Sequence, residues 1–177
     1  PGIPYAVDSR GRGPAWSNSL FENNAEFCLG MFLSDRIQRE AEKTRVQRLL
    51  ETLPEGPART AALHWLDSFD DFDASGRDSD ILKEQLELLP PSEDVSAVLD
   101  HADHLSKKCF WMFGGDGWAY DIGFGGLDHV LATGEDINVL VVDTEVYSNT
   151  GGQASKATPM GAVAQFSSSG KQSAKKD

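Results

Sequence analysis

The feature that most constrains the fold of this chain is a run of strand, glycine-rich turn, helix and strand near its carboxyl-terminal end. Residues 109–113 are apolar and predict a β-strand, and residues 118–132 predict a helix. Residues 137–143, "INVLVVD", are rich in β-branched side chains, as is typical of a buried strand in a parallel sheet. This order predicts a βαβ unit and therefore an α/β fold built on a parallel sheet.

The part of the chain before this unit has the pattern of helices. A long helix is predicted over residues 20–53, with a capping box formed by Ser19 and Glu22 at its start and a break near Gly30.

Shorter helices are predicted after it. One has proline in its first turn, and the acidic stretch "DDFDASGRDSD", residues 70–80, predicts a loop. The segment "ILKEQLELL" and a segment capped by Ser92 predict two more helices. Residues 35–108 are therefore predicted to form a helical insertion in a parallel-sheet fold.

Composition excludes several classes of partner. The net charge of −12 repels the phosphate backbone of nucleic acids. No apolar run reaches the roughly 18 residues of a membrane-spanning helix. Two cysteines, Cys28 and Cys109, cannot by themselves form a four-thiolate iron–sulfur or zinc site. We expect no nucleic-acid partner, no membrane partner, and two reduced, partly buried thiols.

The two ends of the chain carry no closing pattern. The sequence starts at Pro1 and finishes in the polar run "SGKQSAKKD". We therefore expect residues 1–177 to form a single partial domain, an internal piece of a longer polypeptide that is incomplete at both ends.

The glycine-rich turn "GGDG" raises a question of chemistry. A dinucleotide fingerprint requires a third glycine where Tyr120 stands, and the Gly-Lys-Ser/Thr of a P-loop is absent. Asp116 would repel a phosphate unless a cation lay between them. Mg²⁺ is bound by carboxylate oxygens together with phosphate oxygens, so Asp116 is a candidate magnesium ligand. A structural turn with a capping aspartate explains the residues equally well.

A second polar loop follows the next predicted strand. The Thr144 hydroxyl and a backbone carbonyl such as that of Val146 could complete a magnesium shell. Loops at the carboxyl ends of neighbouring parallel strands face the same site. The alternative is a surface turn rich in serine, threonine and glycine, and two such loops at neighbouring strand ends favour the site.

Two blocks of residues carry a family resemblance. Residues 114–159, "GGDGWAYDIGFGGLDHVLATGEDINVLVVDTEVYSNTGGQASKATP", and residues 11–31, "GRGPAWSNSLFENNAEFCLGM", resemble the thiamine-diphosphate-binding domain of the pyruvate:ferredoxin (flavodoxin) oxidoreductases. The general signature of thiamine-diphosphate proteins ends in Asn-Asn; "DTEVYSNTGGQ" stands there instead, as in this family. Cys28 replaces a glycine that is usual in the family.

The resemblance implies a set of site residues. Asp116, Thr144 and the carbonyl of Val146 would be the magnesium ligands, and Asn149 would be catalytic, beside the reacting carbonyl. The cofactor-binding positions would be Gly115, Asp116, Gly117, Trp118, Thr144, Glu145, Val146, Tyr147, Ser148 and Asn149.

The resemblance also implies a reaction and its partners. It implies oxidative decarboxylation of pyruvate to acetyl-CoA and CO₂ with Mg²⁺ and thiamine diphosphate, and electrons passed through 4Fe-4S clusters to ferredoxin or flavodoxin. The cluster ligands would lie outside this chain, and the chain alone is expected to be inactive.

Further partners would be coenzyme A, the remaining domains of the polypeptide and a second copy in a homodimer. The sequence leaves the compartment open, between the cytoplasm and a hydrogenosome-like anaerobic compartment. A related enzyme for another 2-oxoacid and a non-catalytic phosphate-binding module remain as alternatives.

Overall fold

The computed structural model describes residues 23–176 together with Gly13, Pro14 and Ser17. The fold is α/β, as predicted, and it divides into two compact units. One unit contains residues 112–135 and 139–176 with the first turn of the first helix, and the other contains residues 29–111 and 136–138.

Five helices and four strands follow one another along the described chain. The helices are α1 Asn24–Thr52, α2 Pro57–Asp67, α3 Phe72–Glu87, α4 Glu93–Leu99 and α5 Phe124–Thr133. The strands are β1 Phe110–Gly115, β2 Ile137–Val142, β3 Val146–Tyr147 and β4 Gln153–Ala154. A 3₁₀ turn, Ala102–His104, precedes β1, so the helical region predicted for residues 35–108 is confirmed.

Strands β1 and β2 form a parallel two-stranded sheet, and β3 and β4 form an antiparallel hairpin. The expectation that residues 137–143 are a buried strand is wrong for the described residues. Leu140 is 44% exposed and Val142 is 53% exposed. The β-branched composition therefore reports a preference for the extended backbone, while burial depends on what covers the faces of the sheet.

The long helix predicted near the amino terminus is continuous. Helix α1 runs through Gly30 without a break, because Gly30 is exposed and a single glycine costs a helix only about 1 kcal/mol. The predicted capping box of Ser19 and Glu22 lies outside the described residues.

The acidic stretch of residues 70–80 is not a loop. Asp71 caps helix α3 by accepting a hydrogen bond from the Ala74 amide at 2.6 Å, and the helix begins at Phe72. Small serines hide the apolar face of this helix from a pattern search, since Ser75 and Ser79 are buried on it. The first seven residues of the segment "ILKEQLELL", residues 81–87, are therefore the second half of α3 and not a separate helix.

Two other predicted caps in this unit are present. Helix α2 begins at Pro57, whose missing amide hydrogen costs nothing in the first turn. Ser92 accepts a hydrogen bond from the Val95 amide at 3.2 Å and caps α4, which ends at Leu99.

The unit formed by residues 29–111 and 136–138, here named the helical unit, has a well-packed core. Trp65 is fully buried and donates its indole N–H to the Leu105 carbonyl at 3.0 Å. Arg39 donates to the same carbonyl at 3.0 Å and to that of Phe69 at 2.6 Å. The largest fully buried residues of this core are Trp65, Leu49, Leu82, Leu86 and Leu105.

Glu42 is a charged residue at zero exposure in this unit. Its Oε2 accepts a hydrogen bond from Arg45 at 2.7 Å, while its Oε1 is buried and has no hydrogen-bond partner in residues 23–176. Burial raises the pKa of the Glu42 carboxyl above its ordinary value, and the contact with Arg45 opposes this shift.

Among the residues that the structure describes, no helix has the length and apolar character needed to span a bilayer.

Candidate functional site

The glycine-rich segment begins inside a strand. Strand β1 continues through Gly114 and Gly115, so the prediction that it ends at Phe113 is wrong by two residues. Asp116 follows, and residues 117–121 form one turn of π-helix before α5. The helix predicted over residues 118–132 is therefore split into this π turn and α5, which ends at a left-handed Gly134 with φ 67°.

Two of the glycines make room for aromatic rings. A Cβ on Gly114 would lie 2.0 Å from Cε3 of Trp118, and a Cβ on Gly117 would lie 2.1 Å from Cε1 of Tyr147. Both positions therefore require glycine for packing within the chain. A Cβ on Gly115 would meet nothing within 4 Å, so no neighbour in the described chain explains that glycine.

Asp116 is buried and only half satisfied. Its side chain is 1% exposed, and its Oδ2 has no hydrogen-bond partner among the residues that the structure describes. The indole Nε1 of the buried Trp118, two residues further on, also lacks a partner within the described part of the chain. A buried polar atom without a partner costs about 1–3 kcal/mol and requires an explanation such as a bound ion or ligand.

The second predicted loop meets the first at the other oxygen of Asp116. Thr144 Oγ1 lies 3.1 Å from Asp116 Oδ1 and 3.0 Å from the carbonyl oxygen of Val146. Ser148 Oγ lies 3.3 Å from the same hydroxyl. Since the Thr144 hydroxyl has one proton, it cannot donate to both acceptors at once. One of the two acceptors, Asp116 Oδ1 or the Val146 carbonyl oxygen, therefore receives no hydrogen bond from Thr144 at any one time.

This donor set suits a hard cation. A carboxylate, a hydroxyl and a backbone carbonyl are all oxygen donors, which Mg²⁺ prefers over nitrogen or sulfur. A cation beside Asp116 would also give the unpartnered Oδ2 a ligand role. In the described part of the chain, no group of three or more His, Cys, Asp or Glu side chains could hold a metal. The candidate site is thus one that a search for charged clusters would miss.

Asn149 lies in the turn that joins β3 to β4, and its side chain is exposed. The turn is closed by the Gly152 amide, which donates to the Tyr147 carbonyl at 2.8 Å. Gly151 and Gly152 have φ of 133° and 78°, values that favour glycine. Their first role is therefore to shape the hairpin.

The backbone between Thr144 and Val146 is strained. Glu145 is a non-glycine residue with φ 63°, a left-handed conformation that costs about 1–2 kcal/mol. Its amide donates to Asp143 Oδ1 at 3.0 Å, and its carbonyl accepts a hydrogen bond from the Thr158 hydroxyl. These contacts hold the residue that lies between Thr144 and Val146, whose hydroxyl and carbonyl oxygens face each other at 3.0 Å.

Two charged residues beside this loop were not identified from the sequence as site residues. Lys175 Nζ donates to Asp143 Oδ2 at 2.8 Å, and this hydrogen bond lowers the pKa of the Asp143 carboxyl. The same contact raises the pKa of the Lys175 ammonium. The charge pattern "KKD" gave no sign that Lys175 would return to a loop 32 residues earlier.

The first block of the family resemblance also reaches the glycine-rich segment. Asn24 Nδ2 donates to the Phe113 carbonyl at 2.7 Å, three residues before Asp116.

The two cysteines differ from each other: Cys28 is half-buried, which raises the pKa of its thiol, while Cys109 is exposed, contrary to expectation.

Comparison with known proteins gives relatives over the whole chain. The pyruvate:ferredoxin oxidoreductase of Moorella thermoacetica is 49% identical over 183 residues, which cover 100% of this chain and 16% of the relative. The pyruvate-flavodoxin oxidoreductases of Klebsiella pneumoniae and Trichormus variabilis are 48% and 50% identical, each over 100% of this chain and 15% of the relative. No family model matches the chain.

The chain therefore spans about one sixth of the length of these curated relatives. An overall identity close to one half, over alignments that cover the whole chain, agrees with the resemblance seen in the residues around Asp116 and Thr144. The chain matches, over its full length, a segment of the pyruvate:ferredoxin/flavodoxin oxidoreductases.

Proposed function

We propose that this chain supplies the Mg²⁺ and thiamine diphosphate site of an enzyme that oxidatively decarboxylates pyruvate and passes the electrons to ferredoxin or flavodoxin. The observation that carries the proposal is the Asp116 carboxylate, which is buried, has one unpartnered oxygen and touches the Thr144 hydroxyl with the other. The names of the relatives supply the substrate and the electron acceptors.

The residues present fit the cofactor. Asp116, Thr144 and the Val146 carbonyl would hold Mg²⁺, which in turn would hold the diphosphate. The unpartnered indole N–H of Trp118 is a donor for which an anionic oxygen is a suitable acceptor. Gly115, where a side chain would meet no protein atom, leaves the backbone open to a ligand. When bound, thiamine diphosphate supplies the carbanion and the electron sink that decarboxylation of a 2-oxoacid requires.

The chain's own residues would do three things. The oxygen cluster would bind the diphosphate end of the cofactor. The Tyr147 ring, which packs against Gly117, would hold the two loops together. Asn149 would donate a side-chain amide hydrogen to the negative charge that develops on the substrate oxygen. A bare phosphate-binding module fits less well, because an uncompensated Asp116 carboxylate would repel the phosphate. The 4Fe-4S clusters, coenzyme A, the remaining domains and a homodimeric partner belong to the full-length enzyme in this proposal.

The test is Asp116→Ala in the full-length enzyme. We expect the purified variant to lose bound thiamine diphosphate and Mg²⁺, both measured per protein by mass spectrometry and metal analysis. The matched control is Asp128→Ala, which removes an exposed carboxylate on α5 and should keep both. An Asp116→Ala enzyme that retains a full complement of cofactor in Mg²⁺ would refute the ligand assignment.

A further inference from the structure

The last described segment of the chain, residues 171–176, lies against the loop that carries the proposed magnesium ligands. Lys175 Nζ is 2.8 Å from Asp143 Oδ2 and 3.7 Å from Glu145 Oε1. Asp143 and Glu145 are the two neighbours of Thr144 in sequence. A single ammonium group therefore bridges the carboxylates on both sides of the hydroxyl that contacts Asp116.

The loop needs such a restraint. Glu145 holds a left-handed backbone conformation that persists in proteins where the surroundings enforce it. The conformation determines where Thr144 Oγ1 and the Val146 carbonyl point, and these two oxygens lie 3.0 Å apart. Without the bridge, the carboxylates of Asp143 and of the strained residue Glu145 would be two unbalanced negative charges on either side of Thr144.

The backbone that presents Lys175 is itself anchored. Lys171 Nζ donates to the carbonyls of Lys156 and Thr158, at 2.8 and 2.6 Å, and the Lys176 amide donates to the Lys156 carbonyl at 2.9 Å. Lys176 Nζ lies 3.2 Å from the centroid of the Phe124 ring. Because neighbours on both sides are held, Lys175 loses less conformational freedom on pairing than a lysine on a mobile tail would lose.

We propose that Lys175 is a positioning residue for the metal site: by bridging Asp143 and Glu145 it holds the loop in the conformation that brings Thr144 Oγ1 and the Val146 carbonyl to Asp116. This inference rests on the proposed Mg²⁺ and thiamine diphosphate site. It assigns to the lysine of the "KKD" run a role in cofactor affinity, although Lys175 itself is not a magnesium ligand.

The experiment compares Lys175→Met with Lys175→Arg in the full-length enzyme. We expect Lys175→Met to raise the Mg²⁺ concentration for half-maximal retention of thiamine diphosphate by about tenfold, the lower end of the effect of removing a residue that orients a metal ligand. Lys175→Arg, which keeps the charge, should restore most of the affinity. Lys83→Met, at an exposed lysine of α3, is the matched control and should leave the value unchanged.

Asp143→Asn tests the same bridge from its other end. If Lys175 acts through Asp143, the double variant Lys175→Met with Asp143→Asn should need no more Mg²⁺ than Lys175→Met alone. At saturating Mg²⁺ and cofactor, the KM for pyruvate should stay within about twofold of wild type, because the affected step is cofactor retention. Asp143→Asn and Lys175→Arg carry the test if Lys175→Met does not fold.

The outcomes separate the two proposals. An unchanged Mg²⁺ requirement in Lys175→Met, with Asp116→Ala still losing the cofactor, overturns the role of Lys175 and leaves the proposed function standing. A loss of thermal stability without a change in Mg²⁺ requirement shows a merely structural lysine and also overturns it. Retention of the cofactor by Asp116→Ala removes the proposed function, and the role of Lys175 with it.

Discussion

Thr144 Oγ1 lies 3.1 Å from Asp116 Oδ1 although the two residues are 28 positions apart in the chain. The contact joins the end of β1 to the loop after β2, and the Val146 carbonyl lies 3.0 Å from the same hydroxyl. Three oxygens thus converge, and the Thr144 hydroxyl has one proton for two acceptors. This convergence is the structural basis for the predictions that follow.

The hydroxyl of Thr144 should control magnesium affinity. Thr144→Val keeps the shape of the side chain and removes the oxygen, so we expect the Mg²⁺ requirement for cofactor binding to rise roughly tenfold or more in the full-length enzyme. Thr144→Ser keeps the oxygen and should remain close to wild type. A titration of thiamine diphosphate binding against Mg²⁺ measures both, and equal behaviour of the two variants would contradict a ligand role for the hydroxyl.

Replacing the two glycines beside Asp116 should affect different properties: stability at Gly117 and cofactor affinity at Gly115. A methyl group on Gly117 would lie 2.1 Å from the Tyr147 ring and force it away, so Gly117→Ala should destabilise this unit by about 1–3 kcal/mol. Gly115→Ala meets no protein atom and should leave stability unchanged while weakening cofactor binding. Hydrogen exchange of β3 and β4 measures the first effect and cofactor titration the second. A Gly115→Ala enzyme with normal cofactor affinity would show that no ligand lies there.

Asn149 should affect turnover and not cofactor content. We expect Asn149→Ala to lower kcat about 100-fold, the usual order of effect for the loss of one hydrogen-bond donor to a developing oxyanion. Bound thiamine diphosphate should stay at the wild-type level, since the proposed metal ligands are intact. Steady-state kinetics with pyruvate and coenzyme A, alongside cofactor analysis, decide the matter; unchanged kcat would exclude a catalytic role for this amide.

The buried Glu42 should make the helical unit less stable as the pH rises. Its folded-state pKa is raised, so the folded chain holds this proton to a higher pH than the unfolded chain does. The contribution of the protonated Glu42 carboxyl to the free energy of unfolding is complete below the ordinary pKa of glutamate. It is lost as the pH rises through the raised pKa of the folded state. Above that value a buried carboxylate with one unpartnered oxygen remains, at a cost that the neutral amide of glutamine avoids.

We therefore expect Glu42→Gln to raise the free energy of unfolding of the helical unit near neutral pH by roughly 1 kcal/mol and to remove this part of its pH dependence. Hydrogen exchange of α1, corrected for intrinsic rates at each pH, measures the change. Glu51→Gln, at an exposed position of the same helix, is the control and should have no effect. A loss of stability in Glu42→Gln would mean that the charge of Glu42 is needed for its contact with Arg45.

Much of the fold follows from local patterns in the sequence. The order strand, glycine-rich turn, helix and strand predicted the β1–α5–β2 unit, and Pro57 and Ser92 marked the starts of two helices correctly. The acidic pattern of residues 70–80 predicts a loop although most of them are helical, because the buried face consists partly of serines and a hydrophobic pattern does not register small polar side chains in a core. Local sequence reports backbone preference well and reports burial poorly.

The sequence by itself determined which residues are candidate magnesium ligands: Asp116 between glycines and a threonine one strand later are oxygen donors. Tertiary structure alone decided that they converge, that Asp116 Oδ2 has no partner and that Lys175 bridges Asp143 and Glu145. The physical reason is that donor chemistry belongs to each residue. Distance, burial and strain instead depend on how segments far apart in the chain pack against each other.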